Sequence, residues 1–214
     1  MQIVNENIPS VKVVKFILGT DCVVSADMAG YLNFWAMNPH PHKGKRLAFV
    51  INQNNTEKID RGHGPELNLL NFAIRGIDYD PENQMLYTGD ESGYMQKWDI
   101  SVLLEKMETS TKNNQNDKSM FITDPNQKAD DVRLVHSWQA HKNQINCITW
   151  VPELKLVTSC SYDCNVFMWN SKGEKIGSLV LGNKATAPDQ VPDAETARYR
   201  RGWKIEIDKV THYK

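Results

Sequence analysis

The sequence predicts an all-β fold built from a repeated unit of short antiparallel strands. Two observations predict it. Three stretches share one pattern of strand, turn, strand, turn and strand, and the third strand of each ends in a tryptophan, at Trp35, Trp98 and Trp169.

The unit nearest the C-terminus is the clearest. Residues 145–150 alternate apolar and polar as a half-buried strand does, Val151, Pro152 and Glu153 turn the chain, and 154–159 make a second strand. Tyr162, Asp163, Cys164 and Asn165 form a turn, where Asp and Asn side chains bond their own backbone. Residues 166–169 are the third strand, Lys172 and Gly173 turn again, and 175–181 supply a fourth. The middle unit repeats the pattern over 74–79, 85–88 and 94–98, and the first over 11–16, 22–25 and 31–35. Insertions separate the units, at 38–46 with 52–71 and at 101–131. Early in the second insertion Leu103, Leu104 and Met107 share a helix face, with Ser101 placed to cap it.

Composition narrows the function classes. The chain has 214 residues, 40% of them apolar, enough for a globular core. A formal net charge of -1 gives no global electrostatic case for nucleic acid or an anionic membrane. No apolar run approaches the roughly 18 residues of a membrane helix. The opening residues, from Met1 to Glu6, lack the basic and apolar regions of a signal peptide, so a cytoplasmic or cytoskeletal location is expected. Cys22, Cys147, Cys160 and Cys164 form neither a paired framework nor a zinc-ligand spacing, and buried free thiols are expected. Arg198, Arg200 and Arg201 are the longest local basic excess, read as a solvated tail or as a dock for an acidic partner such as tubulin.

Within the third unit, Gln139, Ala140 and His141 are followed by Ser159, Asp163 and Trp169. An imidazole, a hydroxyl, a carboxylate and an indole N–H can satisfy one another inside a small sheet. This set and its spacing resemble the WD40 repeat, whose units run to about 40–45 residues. The resemblance implies a β-propeller in which His141, Ser159, Asp163 and Trp169 are a structural hydrogen-bond network. The other units depart from it. Ser92 and Ala29 stand where the third has Asp163, while Asp90 and Asp27 lie two places earlier, with Gly93 and Gly30 three residues beyond each; Thr88 and Ser25 keep the hydroxyl.

A narrower resemblance rests on Trp98, Asp99 and Ile100 leading into the Ser101 segment, on the order Ser137 to His141 then Thr158 to Asp163, and on Gly173, Ile176 and Gly177 after the last repeat tryptophan. This order is similar to the terminal blades of the large EF-hand/WD40 proteins of motile cilia and flagella. It implies an axonemal location and axonemal or microtubule partners, and no EF-hand calcium loop occurs in this chain.

About three blades are therefore expected, an incomplete propeller over 1–182 with blades near 11–54, 72–141 and 142–182, and an extended tail over 183–214. Propellers have about four to eight blades, so three leave sheet faces and strand edges open, and completion by another polypeptide, or by an upstream portion of the same one, is expected. In the tail, Trp203, Ile205 and Ile207 alternate with polar residues, as in a strand added either to this chain or to a neighbour. Trp150, at the end of a first strand, is expected to pack between blades.

No nucleophile elbow, zinc-protease helix, phosphate loop or dinucleotide glycine pattern occurs. His40 and His42 flank Pro41 in a Pro-rich loop and are read as incidental rather than as metal ligands. No enzyme activity, cofactor or metal is expected. The function expected is a non-enzymatic scaffold or adaptor in a large assembly, the ciliary axoneme first, with a recognition module of a non-ciliary complex as the alternative.

Overall fold

A computed structural model of the chain describes residues 10–37, 46–52, 72–112, 131–181 and 203–207. These residues form three antiparallel sheets and one helix. The first sheet runs β1 (Val11–Ile17), β2 (Cys22–Asp27), β3 (Tyr31–Ala36) and β4 (Arg46–Asn52). The second runs β5 (Ile74–Asp80), β6 (Met85–Asp90), β7 (Tyr94–Asp99) and, after helix α1 (Ser101–Lys112), β8 (Arg133–Gln139). The third runs β9 (Ile145–Val151), β10 (Leu156–Ser161), β11 (Val166–Trp169), β12 (Lys175–Leu181) and β13 (Trp203–Ile207). Within each sheet every strand after the first pairs with its predecessor in sequence, so short hairpins and the inserted segments account for all connections within a sheet.

The ladders place the three units in one register. Val23 lies between Phe16 and Trp35, Leu86 between Tyr79 and Trp98, and Val157 between Trp150 and Trp169. Residues directly opposite share a face, so each sheet carries an aromatic, an aliphatic and a tryptophan in one row. Two apolar layers lie between the sheets. Ile17, Val24, Leu32 and Phe34 of the first sheet pack with Ile77, Tyr79, Leu86 and Trp98 of the second. On the other side, Tyr87 and Met95 of the second pack with Ile145, Ile148, Trp150 and Val157 of the third. That second junction is close: a Cβ at Gly89 would lie 2.8 Å from Ile145 Cγ2 and from Ile148 Cδ1, so a larger residue there would require these side chains to shift.

Several elements differ from the sequence reading. Leu103, Leu104 and Met107 are buried against the first layer, but the start of α1 is capped by Asp99 rather than Ser101. The Asp99 carboxylate accepts the Ser101 amide at 3.1 Å and the Ser101 hydroxyl at 2.6 Å, which makes Ser101 a donor. The Ser101 hydroxyl bond, with the Arg133 guanidinium beside it, holds the Asp99 carboxyl below its ordinary range. The first sheet gains its fourth strand, β4, from residues between the two parts of the first insertion. In the tail, residues 203–207 pair with β12, Trp203 opposite Leu181 and Ile207 opposite Gly177. Of the two alternatives for this segment, addition to its own chain is the one found, and β13 becomes the sheet edge.

Candidate functional site

One hydrogen bond recurs in all three sheets. The indole of Trp35 donates to Ser25 Oγ at 2.8 Å, that of Trp98 to Thr88 Oγ1 at 3.1 Å and that of Trp169 to Ser159 Oγ at 2.8 Å, each spanning 10 residues. The hydroxyl lies two places along the ladder from the tryptophan's direct partner, within reach of the indole edge. The third sheet extends the pair into a network. His141 Nε2 is 2.8 Å from Ser159 Oγ, and Nδ1 is 3.0 Å from Asp163 Oδ2. An indole N–H only donates, so Ser159 accepts from Trp169 and gives its own hydrogen to Nε2. Nδ1 is then the protonated nitrogen and donates to Asp163. The carboxylate also accepts the amides of Lys142 at 3.1 Å and Asn165 at 3.0 Å, closing the turn onto the strand that follows His141.

The electrostatics follow from burial. Removal from water pushes the His141 pKa down, against the raising effect of Asp163, so the ring is neutral at neutral pH. Burial pushes the Asp163 carboxyl up, but the Lys142 and Asn165 amides and His141 outweigh it, and the net direction is down. With the ring uncharged, the Lys142 and Asn165 amides and the His141 Nδ1–H are the donors that favour the ionised carboxylate. The order Ser159, His141, Asp163 mimics a hydrolytic relay, yet Ser159 is 1% exposed and bonded by both the indole and the imidazole. The geometry ties strands together.

The turns before the third strands follow a shared plan. Asp90 Oδ1 accepts the amides of Ser92 and Tyr94 at 2.9 and 3.1 Å, and Asp27 Oδ1 those of Ala29 and Tyr31 at 2.9 and 3.0 Å. Gly30 and Gly93 take positive φ values of 81° and 84°. Cys164 holds the matching place in the third sheet with φ 64°, a left-handed conformation on a residue with a side chain. Sequence reasoning paired Gly30 with Gly93 and missed Cys164, although counting back from each repeat tryptophan reaches all three.

The surface with the clearest opening is the far face of the first sheet. Val14 corresponds in register to Ile77 and Ile148, and Phe16 to Tyr79 and Trp150. In the second and third sheets these residues fill the layers between sheets: Ile77 is 5% exposed, Tyr79 5%, Ile148 4% and Trp150 7%. In the first sheet Val14 is 55% exposed and Phe16 62%. Leu18 and Val11 beside them are exposed as well. Trp150 does pack between sheets, its ring stacked on Tyr87 with centroids 5.8 Å apart and planes 10° apart. Trp138 meets His136 and Trp169, and Gly173 lies close against both Trp138 and His136.

The remaining expected site residues are placed only in part. Trp203, Ile205 and Ile207 lie in β13, paired to β12, so their backbone groups on that side serve this chain. Arg198, Arg200 and Arg201, with His40 and His42, fall outside the described residues. Among the described residues no group of three or more His, Cys, Asp or Glu side chains could hold a metal ion. No helix there is long and apolar enough to cross a membrane.

Comparison with known proteins agrees with this geometry. Residues 132–170 match the family described as "WD domain, G-beta repeat", a span that includes β8 and the His141, Ser159, Asp163 and Trp169 network. The chain is also similar to "Cilia- and flagella-associated protein 337 B" of Tetrahymena thermophila, 31% identical over 107 residues. That match covers 48% of this chain and 8% of the relative. The family match spans the last strand of the second sheet and most of the third, and the three sheets, alike in register and in their indole–hydroxyl bond, have the form of blades of an incomplete propeller.

Proposed function

We propose that this chain, a WD40 protein-interaction module, is a non-enzymatic scaffold segment of the motile-cilium axoneme, and that its open propeller is completed by further blades packed on the Val14 and Phe16 face. The observation that carries the reading is the exposure of Phe16, 62%, at a position where the next two blades bury their aromatics to 5% and 7%. An apolar row of this kind is covered wherever it recurs in the chain, and exposed contiguous apolar surface marks an interaction site. Burying it adds on the order of 25 cal/mol per Å² removed from water, and assembly then stabilises the blades by mass action. The ciliary part of the reading is supported by the Tetrahymena relative and by the order of motifs around Trp98 and His141.

Co-sedimentation of the purified chain with salt-washed axonemes tests the proposal, with light scattering of the free chain alongside. Saturable binding that survives high salt and is lost in Phe16→Asp is the expected result. A free chain that is a compact monomer and ignores axonemes would overturn it. Binding to axonemes that is unchanged by Phe16→Asp would keep the ciliary scaffold and discard the face.

A further inference from the structure

We propose that Cys147 and Cys160 form a vicinal dithiol site on the outer face of the third sheet, which a disulfide oxidant such as oxidised glutathione closes into a cross-strand disulfide. The ladder between β9 and β10 sets Cys147 directly opposite Cys160. Opposed residues of an antiparallel pair have Cα atoms about 4.5 or about 5.5 Å apart, and their side chains leave the same face. Both spacings fall inside the roughly 4.4–6.8 Å that a disulfide bridges. Cys147 is among the groups that push the Cys160 thiol up, after burial. Of the four thiols expected to be buried only Cys22 is; Cys147 is exposed and Cys160 half-buried, so an oxidant in solution reaches the pair through Cys147. Thr149, one pleat along on the same face, places its hydroxyl 3.9 Å from the Cys147 sulfur.

The pair is a feature of this sheet and not of the repeat. The matching opposed residues are Gly76 and Gly89 in the second sheet and Val13 and Ala26 in the first. Blade packing therefore accepts several small residues here and does not itself call for thiols. The other two cysteines lack this arrangement. Cys22 is buried, and burial pushes its thiol up to about 12. Cys164 is exposed but sits in the β10–β11 turn beyond the ladder. Burial and then the neighbouring Cys147 thiol push the Cys160 pKa up, so closure is faster in mildly alkaline solution.

The chemistry balances as a thiol–disulfide exchange. The Cys147 thiolate attacks one sulfur of glutathione disulfide; the glutathione S–S bond breaks and one glutathione leaves. Cys160 then attacks the Cys147 sulfur of the mixed disulfide and expels the second glutathione. The protein gives up two electrons and two thiol protons, which the two released glutathione thiols carry away. Blades that closed the ring would cover this face, as the third sheet covers Gly76 and Gly89 of the second, so the dithiol is open to an oxidant in the chain before the ring closes.

The test uses the full chain, reduced, freed of reductant and treated with oxidised glutathione, with free thiols counted and peptides mapped by mass. The expected result is loss of two thiols, a mass lower by two hydrogens, and a link between the peptides of Cys147 and Cys160 that persists in Cys164→Ser. In Cys160→Ser the reaction should stop at one glutathione on Cys147. Separate glutathione adducts on Cys147 and Cys160, a link to any other cysteine, or an unreacted pair once Cys164 has been modified would each overturn the proposal. The first measurement is made on the unsubstituted chain, so it stands whether or not a variant folds.

Discussion

The carboxylate of Asp78, in the first strand of the second sheet, accepts the backbone N–H of Trp150, in the first strand of the third, at 2.6 Å. Its other oxygen lies 2.5 Å from Lys15 Nζ, in the first strand of the first sheet, and accepts the Tyr79 amide at 2.8 Å. One buried side chain thus joins the leading strands of all three sheets. Asp78→Ala should cost about 2–4 kcal/mol, because it strands the buried Trp150 amide as well as removing the ion pair. The Lys15 partner is partly exposed, so Lys15→Ala should cost well under half of that. Urea unfolding of both variants checks the order, and an equal cost would show that the ion pair and not the amide dominates.

The network at His141 makes stability depend on pH. The folded pKa of His141 lies below its ordinary 6.5, so near that pH the unfolded chain binds more protons than the folded one. Stability is therefore complete above pH 6.5 and falls as pH drops below it, until the folded pKa is reached. Asp163 acts lower: its folded pKa lies below 3.8, and its contribution is present above 3.8 and lost as pH falls through the folded value. Thermal melts between neutral pH and about pH 5 should show a decline that flattens in His141→Gln, which keeps hydrogen-bonding atoms but does not titrate. An unchanged slope in that variant would assign the decline to other groups.

The third sheet carries a correctable strain. Cys164 adopts φ 64° where its counterparts are Gly30 and Gly93. A left-handed residue with a Cβ costs roughly 1–2 kcal/mol, part of which glycine returns as extra freedom in the unfolded chain. Cys164→Gly should raise stability by about 0.5–1 kcal/mol, read as a higher urea midpoint at unchanged slope. The reverse change at Gly93 should be severe. A Cβ there would sit 2.3 Å from the His141 carbonyl oxygen, on the loop whose Ala140 and His141 amides both donate to Gly93.

How far the fold could be read from the sequence depended on whether the determining partner was local. The indole–hydroxyl pairs were readable because tryptophan and hydroxyl recur at one separation in each unit, as in Ser25 with Trp35 and Thr88 with Trp98. The burial of Leu103, Leu104 and Met107 followed from helical spacing, but the choice of Asp99 over Ser101 as cap turned on side-chain direction, which spacing does not encode. Strand β4 hid between two stretches of loop composition. The alternation of 203–207 announced a strand without naming the edge it joins, and only the ladder to β12 does so. Asp78 could not be singled out, since its partners Lys15 and Trp150 come from strands far apart in the chain.

The row of Phe16, Tyr79 and Trp150 offers an internal comparison, three equivalent aromatics in one chain with different surroundings. Trp150→Ala removes a buried ring stacked on Tyr87 and should cost about 3–5 kcal/mol. Phe16 is 62% exposed, so Phe16→Ala in the isolated chain should change stability by no more than about 0.5–1 kcal/mol. If the first sheet is covered on assembly, the same substitution becomes costly there, and the loss appears as weaker association instead of a lower melting temperature. Paired measurements of unfolding and of axoneme binding separate the two effects. A Phe16→Ala chain that unfolds as easily as Trp150→Ala would mean that the Phe16 ring is already buried by residues of this chain, and that the face is closed before any partner arrives.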